Sequence, residues 1–206
     1  TGQKPILRII AQPREGVQWA LYYPPLLDYQ PADFSGKMEK DWQAMVRRSL
    51  EYYGENDIYK AFTSLDQVSD DISDPRFFIY RAGLLLGVGR LDEARKDIQK
   101  AAQLEPKDSQ SFSLESIIAI TLNQKSQALH LAEKAVELDK GSATARIALS
   151  YAKQSLFDLN GALASLKEAV SLDSENGLAW ARLAELFLSV GNLKKALEAA
   201  KKSAAL

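Results

Sequence analysis

The sequence predicts an all-α fold, an α-solenoid of stacked helix–turn–helix units behind a short irregular or β-hairpin N-terminal segment. Three observations predict it. Alanine recurs at Ala94, Ala128, Ala162 and Ala196, 34 residues apart each time, and Leu104, Leu138, Leu172 and Leu206 keep the same interval. Asp74, Asp108, Ser142 and Asn176 share that interval, and their side chains are the kind that accept from the free N–H groups at a helix start. Residues 1–36 hold Pro5, Pro13, Pro24, Pro25 and Pro31, five of the chain's seven prolines, a density that no helix of ordinary length survives. Several columns at one period mean stacked supersecondary units, each packed on its neighbours.

Within residues 1–36, Ile6-Leu7-Arg8-Ile9-Ile10 is β-prone, and Val17 to Tyr23 reads as a second strand or a short helical turn. Gln12 to Gly16 is the turn between them, which makes a hairpin. An isolated hairpin is marginal in water, so the segment is expected to lie against the first repeats, as a cap or along a groove. Ten of the 18 aromatic residues fall before residue 63, among them Trp19, Tyr22, Tyr23, Tyr29, Trp42, Tyr52 and Tyr53. The alternative reading of that cluster is an aromatic platform for sugars or peptides.

The solenoid is expected over 37–206. Its first unit, 37–74, is the loosest: a helix from about 37 to 53, a turn at Gly54-Glu55-Asn56-Asp57, and a helix from 58 to 69 carrying Ala61, Leu65 and Val68. Ser69 to Pro75 then forms a loop. Units follow at 75–108, 109–142, 143–176 and 177–206, the last truncated. Pro75 suits a first helical position, and Pro106 marks the end of its unit. Internal turns fall near Gly89-Arg90, Asn123-Gln124, Phe157-Asp158 and Gly191-Asn192. Second helices begin near Asp92, Ser126, Asn160 and Lys194.

Composition narrows the function. Apolar residues are 46% and charged residues 26% of 206, a balance that argues against disorder. Lys+Arg is 26 against 27 Asp+Glu, so the basic excess of a nucleic-acid binder is missing. No apolar run is long enough to cross a membrane. There is no cysteine, and the only histidine is His130, so the common triads and zinc sites cannot be built. His130 falls in a slot held elsewhere by Lys96, Ala164 and Glu198, a solvent-facing position. Asp70-Asp71 serve a loop, and Lys194-Lys195 and Lys201-Lys202 are solvated positions. Gly83-Leu84-Leu85-Leu86-Gly87-Val88-Gly89 follows a helix pattern rather than a strand, so it is no phosphate loop, and its glycines are read as permitting close helix packing. No catalytic, cofactor or metal site is expected, and the chain reads as an interaction module rather than an enzyme. It starts at Thr1 without Met and stops inside a unit with no polar capping helix. It is read as a fragment of a longer protein, with self-association through the uncapped end as one consequence.

The period and its residues resemble the tetratricopeptide repeat (TPR), whose 34-residue helix–turn–helix carries W…L-G…Y…A…F…A…P positions. The last unit is most similar, with Trp180, Leu183, Ala184, Phe187, Gly191, Ala196 and Ala200. The unit from Pro75 has Phe78, Ala82, Leu85, Gly89, Ala94, Ile98, Ala101 and Pro106, and the third has Leu149, Ser150, Ala162, Leu166 and Ala169. The second, with Phe112, Ser116, Ala119, Ala128, Ala132 and Ala135, lacks the Leu and the closing Pro. The resemblance implies a right-handed superhelix and a concave groove lined by first helices.

With units numbered from Pro75, Ser109, Ala143 and Gly177, slots 2, 5, 9 and 12 form a stripe about 130° from the packing slots, at roughly 100° per residue. The resemblance makes this stripe the partner-binding groove. It reads Arg76, Ile79, Gly83, Leu86; Gln110, Ser113, Ile117, Ile120; Thr144, Ile147, Tyr151, Gln154; and Leu178, Ala181, Glu185, Leu188. Only Arg76 and Glu185 are charged, which excludes a clamp for a peptide carboxylate, since that needs clustered cationic donors. The expected partner is an amphipathic helix or an apolar extended segment of a protein. The other reading is a structural spacer whose groove is covered by its own N-terminal segment. Pro13 to Pro25 also resembles the junction after a FecR-type domain in large bacterial exported repeat proteins, which implies work outside the cytoplasm, in the periplasm or at the cell surface.

Overall fold

The computed structural model describes residues 41–55, 57–65, 68 and 72–206. The expected hairpin within 1–36, residues 37–40 and the pair Asp70-Asp71 lie outside the described residues. Ten helices and no strand are found among those described: α1 (Asp41–Gly54), α2 (Ile58–Thr63), α3 (Pro75–Gly87), α4 (Leu91–Leu104), α5 (Ser109–Thr121), α6 (Lys125–Leu138), α7 (Ala143–Ser155), α8 (Leu159–Leu172), α9 (Gly177–Ser189) and α10 (Leu193–Ala205). They pair as five successive hairpins, and each hairpin packs on the next.

Four of the five first helices start at a cap that the sequence announces. The side chains of Asp74, Asp108, Ser142 and Asn176 accept from the backbone N–H of Arg76, Ser111, Ala145 and Ala179. Each such cap contributes about 1 kcal/mol. Second helices start one residue earlier than expected, at Leu91, Lys125, Leu159 and Leu193. The turns explain this: Gly89, Asn123, Phe157 and Gly191 occupy one slot, and all four have positive φ, between 59° and 79°. That left-handed residue ends the first helix, and the very next one caps the second. Gly89 therefore serves the turn, with open space around its α-carbon, rather than close helix packing. In α2 the helix stops at Thr63 rather than continuing through 64 and 65: the Leu65 N–H turns to the Phe62 carbonyl at 2.9 Å, a tighter i→i−3 bond that closes the last turn.

The alanine columns are the crossing points of each hairpin. Ala94, Ala128 and Ala162 are fully buried and Ala196 nearly so. Beside that crossing, Ser116 Oγ donates to the Ala128 carbonyl at 2.8 Å, and Ser49 Oγ donates to the Ala61 carbonyl at 2.6 Å across the same 12-residue separation. The shared geometry makes α1–α2 a hairpin of the same design. Ser49 also bonds the buried Tyr80 hydroxyl at 2.8 Å, and Trp42 meets Phe77 edge-on at 5.9 Å, which join the first hairpin to the second. Arg81 grips Asp97 with two bonds of 2.7 Å across α3–α4.

A second contact repeats at the outer side of the second, third and fifth hairpins. Lys100, Lys134 and Lys202 lie 5.2, 4.1 and 5.7 Å from the rings of Phe78, Phe112 and Trp180. In the fourth hairpin the same two slots hold Arg146 and Glu168, which form an ion pair.

Phe157 is 82% exposed and holds φ 63°, a conformation that costs a side chain with a β-carbon about 1–2 kcal/mol. Phe157→Gly should raise stability by about 0.5–1 kcal/mol, after the loss of Lys125 over its ring is counted, read as a higher urea midpoint. Burial holds the Glu115 carboxyl above its ordinary value, against the pull of Lys134 and Arg95. A carboxyl raised on folding favours the protonated native state, so its contribution is present below about pH 4 and is lost as pH rises through the folded value. Glu115→Gln should therefore match the wild type in Tm near pH 4 and exceed it at pH 7.

Candidate functional site

The first helices α3, α5, α7 and α9 contact one another in series, so the stripe at slots 2, 5, 9 and 12 runs across four hairpins. The twelve expected site residues divide evenly on it. Ile79, Ser113, Ile117, Thr144, Ile147 and Tyr151 are buried, at 0–7% exposure. Ile79, Ile117, Ile147 and Tyr151 belong to the continuous core. These six correct the expectation of an open groove floor, because a buried side chain offers a partner no surface. Arg76, Leu86, Gln110, Ile120, Gln154 and Glu185 are half-buried and form the edges. The fifth hairpin is more open: Leu178 and Ala181 are half-buried and Leu188 is 60% exposed.

Both charges on the stripe are met from within. Arg76 turns back on its own cap, with Nε 3.0 Å and Nη2 2.6 Å from the Asp74 carboxylate. Glu185 accepts from Arg182 Nη1. Arg182 is only 4% exposed, its guanidinium lies 3.9 Å from the Tyr151 ring centroid, and its Nε has no hydrogen-bond partner among the described residues. Sequence reasoning missed Arg182. The signal was there: its slot holds Tyr80, Leu114 and Ala148 in the earlier units, so one buried column turns cationic in the last. Gln110 Oε1 is likewise buried without a donor among the described residues.

His130 is exposed, in the slot expected to face solvent. Lys195 and Lys202 each lie 5.7 Å from an aromatic ring, Phe187 and Trp180. Among the described residues no cluster of three His, Cys, Asp or Glu side chains is placed to hold a metal. No helix among them is long and apolar enough to cross a membrane.

Five hairpins in series, with small residues at each crossing and a left-handed turn slot in the last four, are similar to solved TPR structures. TTC0263, a thermophilic TPR protein of Thermus thermophilus, is similar with a TM-score of 0.69 and 22% identity, covering 78% of this chain and 89% of that one. The chain has the tetratricopeptide repeat fold. MamA 41-end from Desulfovibrio magneticus RS-1 is similar with a TM-score of 0.51 and 19% identity, over 81% of this chain and 94% of that one. The sequence matches no protein-family model and no curated protein. At these identities the likeness is one of fold, and the TPR solenoid's surface is this chain's own.

Removing one member of the Arg182–Glu185 pair isolates a buried charge, whereas neutralising both does not. Glu185→Gln should lower stability by about 1–3 kcal/mol. The double variant Arg182→Leu with Glu185→Gln should recover most of that loss. Urea unfolding of the three proteins checks it, and a double variant no better than the single one contradicts it.

Proposed function

We propose that this chain is a protein-interaction scaffold that holds an apolar segment of a partner protein, helical or extended, along its first-helix face. The observation that carries the reading is the self-neutralised stripe. Its two charges are both satisfied internally, by Asp74 and Arg182, and the rest of its accessible surface is apolar or amide: Leu86, Gln110, Ile120, Gln154, Leu178 and Leu188. Such a face recognises apolar side chains and has no loose cation for a terminal carboxylate. The scaffold acts by holding its partner and needs no turnover of its own. The N-terminal resemblance supports work outside the cytoplasm, in the periplasm or at the cell surface.

The buried floor favours a second reading. Slots 5 and 9 are closed in the second to fourth hairpins, Gly83 included, and open in the fifth, where Ala181 and Glu185 are half-buried. A spacer whose groove is covered by residues 1–36 fits that gradient. Amide hydrogen exchange on the chain with and without residues 1–36 separates the two, provided circular dichroism shows that the truncated form stays helical. The scaffold reading expects unchanged exchange in 75–86 and 109–121 and a monomer after deletion. Faster exchange in those helices, with self-association, supports the spacer and sinks the free groove.

A further inference from the structure

The repeat supplies its own control for deciding which residues are unusual. The left-handed turn slot is held by Gly89, Asn123 and Gly191, residue types that visit that conformation routinely. In the fourth hairpin it is held by Phe157, which is strained there and belongs to no core cluster. A neighbouring slot departs as well. Leu91, Leu159 and Leu193 share it with Lys125, whose ammonium lies 5.3 Å from the Phe157 ring. Strain that serves nothing inside the chain points to a contact outside it. Val88, Leu122, Leu156 and Val190 lie along the same edge, each 39–43% exposed, so the ring stands on an aliphatic ridge.

The same edge holds a recess. It measures about 320 Å³ and opens between the second and third hairpins, lined by Gly89, Arg90, Leu91, Arg95, Ile118 and Leu122. The repeat explains why it is open there. Arg95 shares its slot with Leu129 and Leu163. Those leucines are half-buried and buried, whereas Arg95 is exposed, so the aliphatic plug of the next two hairpins is missing from the second. Arg90 is drawn toward the first hairpin, over the Phe62 ring at 4.6 Å. A cavity of about 150 Å³ holds a benzene ring, so one phenyl side chain fits. The recess is aliphatic at Ile118 and Leu122 and cationic at Arg95, two surfaces that suit an aromatic ring. Its rim carries Asp92 beside Arg95. Phe157 is flanked by Lys125 and Asp158, so each sign meets its opposite.

We infer that two copies of this chain pair along their turn edges, each seating Phe157 in the recess of the other. One chain carries both halves of the contact, which makes a second copy the occupant. Phe157 stands in the fourth hairpin, and the recess between the second and third. Two solenoids laid edge to edge in opposite directions therefore match ring to recess twice, and the contact closes as a two-fold pair. At each junction Asp158 comes to Arg95, and Lys125 adds its charge to a rim that holds Asp92. A ring and a few charges on each side make a small interface, so the pair is weak. The dilute protein of exchange and urea measurements is then monomeric.

Sedimentation equilibrium of the intact chain reads the pairing, from about 10 µM to about 1 mM, the range in which a small interface is populated. The wild type should form a dimer that salt weakens. Two variants restore residues that the repeat itself uses in those slots, so neither endangers the fold. Phe157→Gly removes the ring, and Arg95→Leu plugs the recess. Each should weaken the dimer tenfold or more while circular dichroism stays unchanged. A chain that is monomeric throughout, or a dimer indifferent to Phe157→Gly, overturns the inference. So does a dimer lost with Phe157→Gly but kept with Arg95→Leu, which seats the ring on another surface, as two stacked rings would. Assembly beyond the dimer that Phe157→Gly abolishes shows a head-to-tail contact and overturns the two-fold pair. The turn edge is separate from the first-helix stripe, so failure here and failure of groove binding are read separately.

Discussion

The whole solenoid hangs on how closely two helices approach within a hairpin. That distance is set by methyl groups at Ala94, Ala128, Ala162 and Ala196, all buried. With nothing larger at the crossing, a serine on one helix reaches a carbonyl on the other, as Ser116 reaches Ala128. Interiors packed to this density resist added volume, and an extra few methylenes cost about 1–3 kcal/mol. The fixed crossing makes every hairpin the same shape. Equal shapes stack, and the stacking brings successive first helices side by side. The site and its edges inherit their placement from that one approach.

Much of this was legible in the sequence because it is local or repeated. The caps at Asp74, Asp108, Ser142 and Asn176 are single-residue signals, and the period multiplies the alanine signal by four. What stayed hidden depends on neighbours. The angle of Ile79, Ile117 or Ile147 around its helix could be counted, but how far the surroundings close over it could not. Those residues consequently read as groove floor, and the structure puts them in the core. The early end of α2 was hidden for a related reason: nothing in Thr63, Ser64 or Leu65 announces the tighter bond from the Leu65 N–H to the Phe62 carbonyl.

The fold is shared with solved TPR structures at low identity, which leaves the surface to say what is particular to this chain. Several of its arginines are spent inside the molecule. Arg81 is bound to Asp97, Arg76 to Asp74 and Arg182 to Glu185. Pairs held this way add modestly to stability when exposed and chiefly remove charge from the face that a partner meets. The first-helix face is left nearly neutral.

The outer contact of the last four hairpins carries a lesson about inheritance. Three hairpins set a lysine over an aromatic ring, and the fourth sets Arg146 against Glu168. The cation has changed helices, and its counterpart has changed from a ring to a carboxylate. Neither column can be exchanged by itself: an arginine transplanted from the slot of Arg146 into the third hairpin would face Lys134, and a phenylalanine in its place would face Glu168. A consensus repeat averaged one column at a time would therefore combine halves of two different arrangements. The unit of exchange between these repeats is the pair.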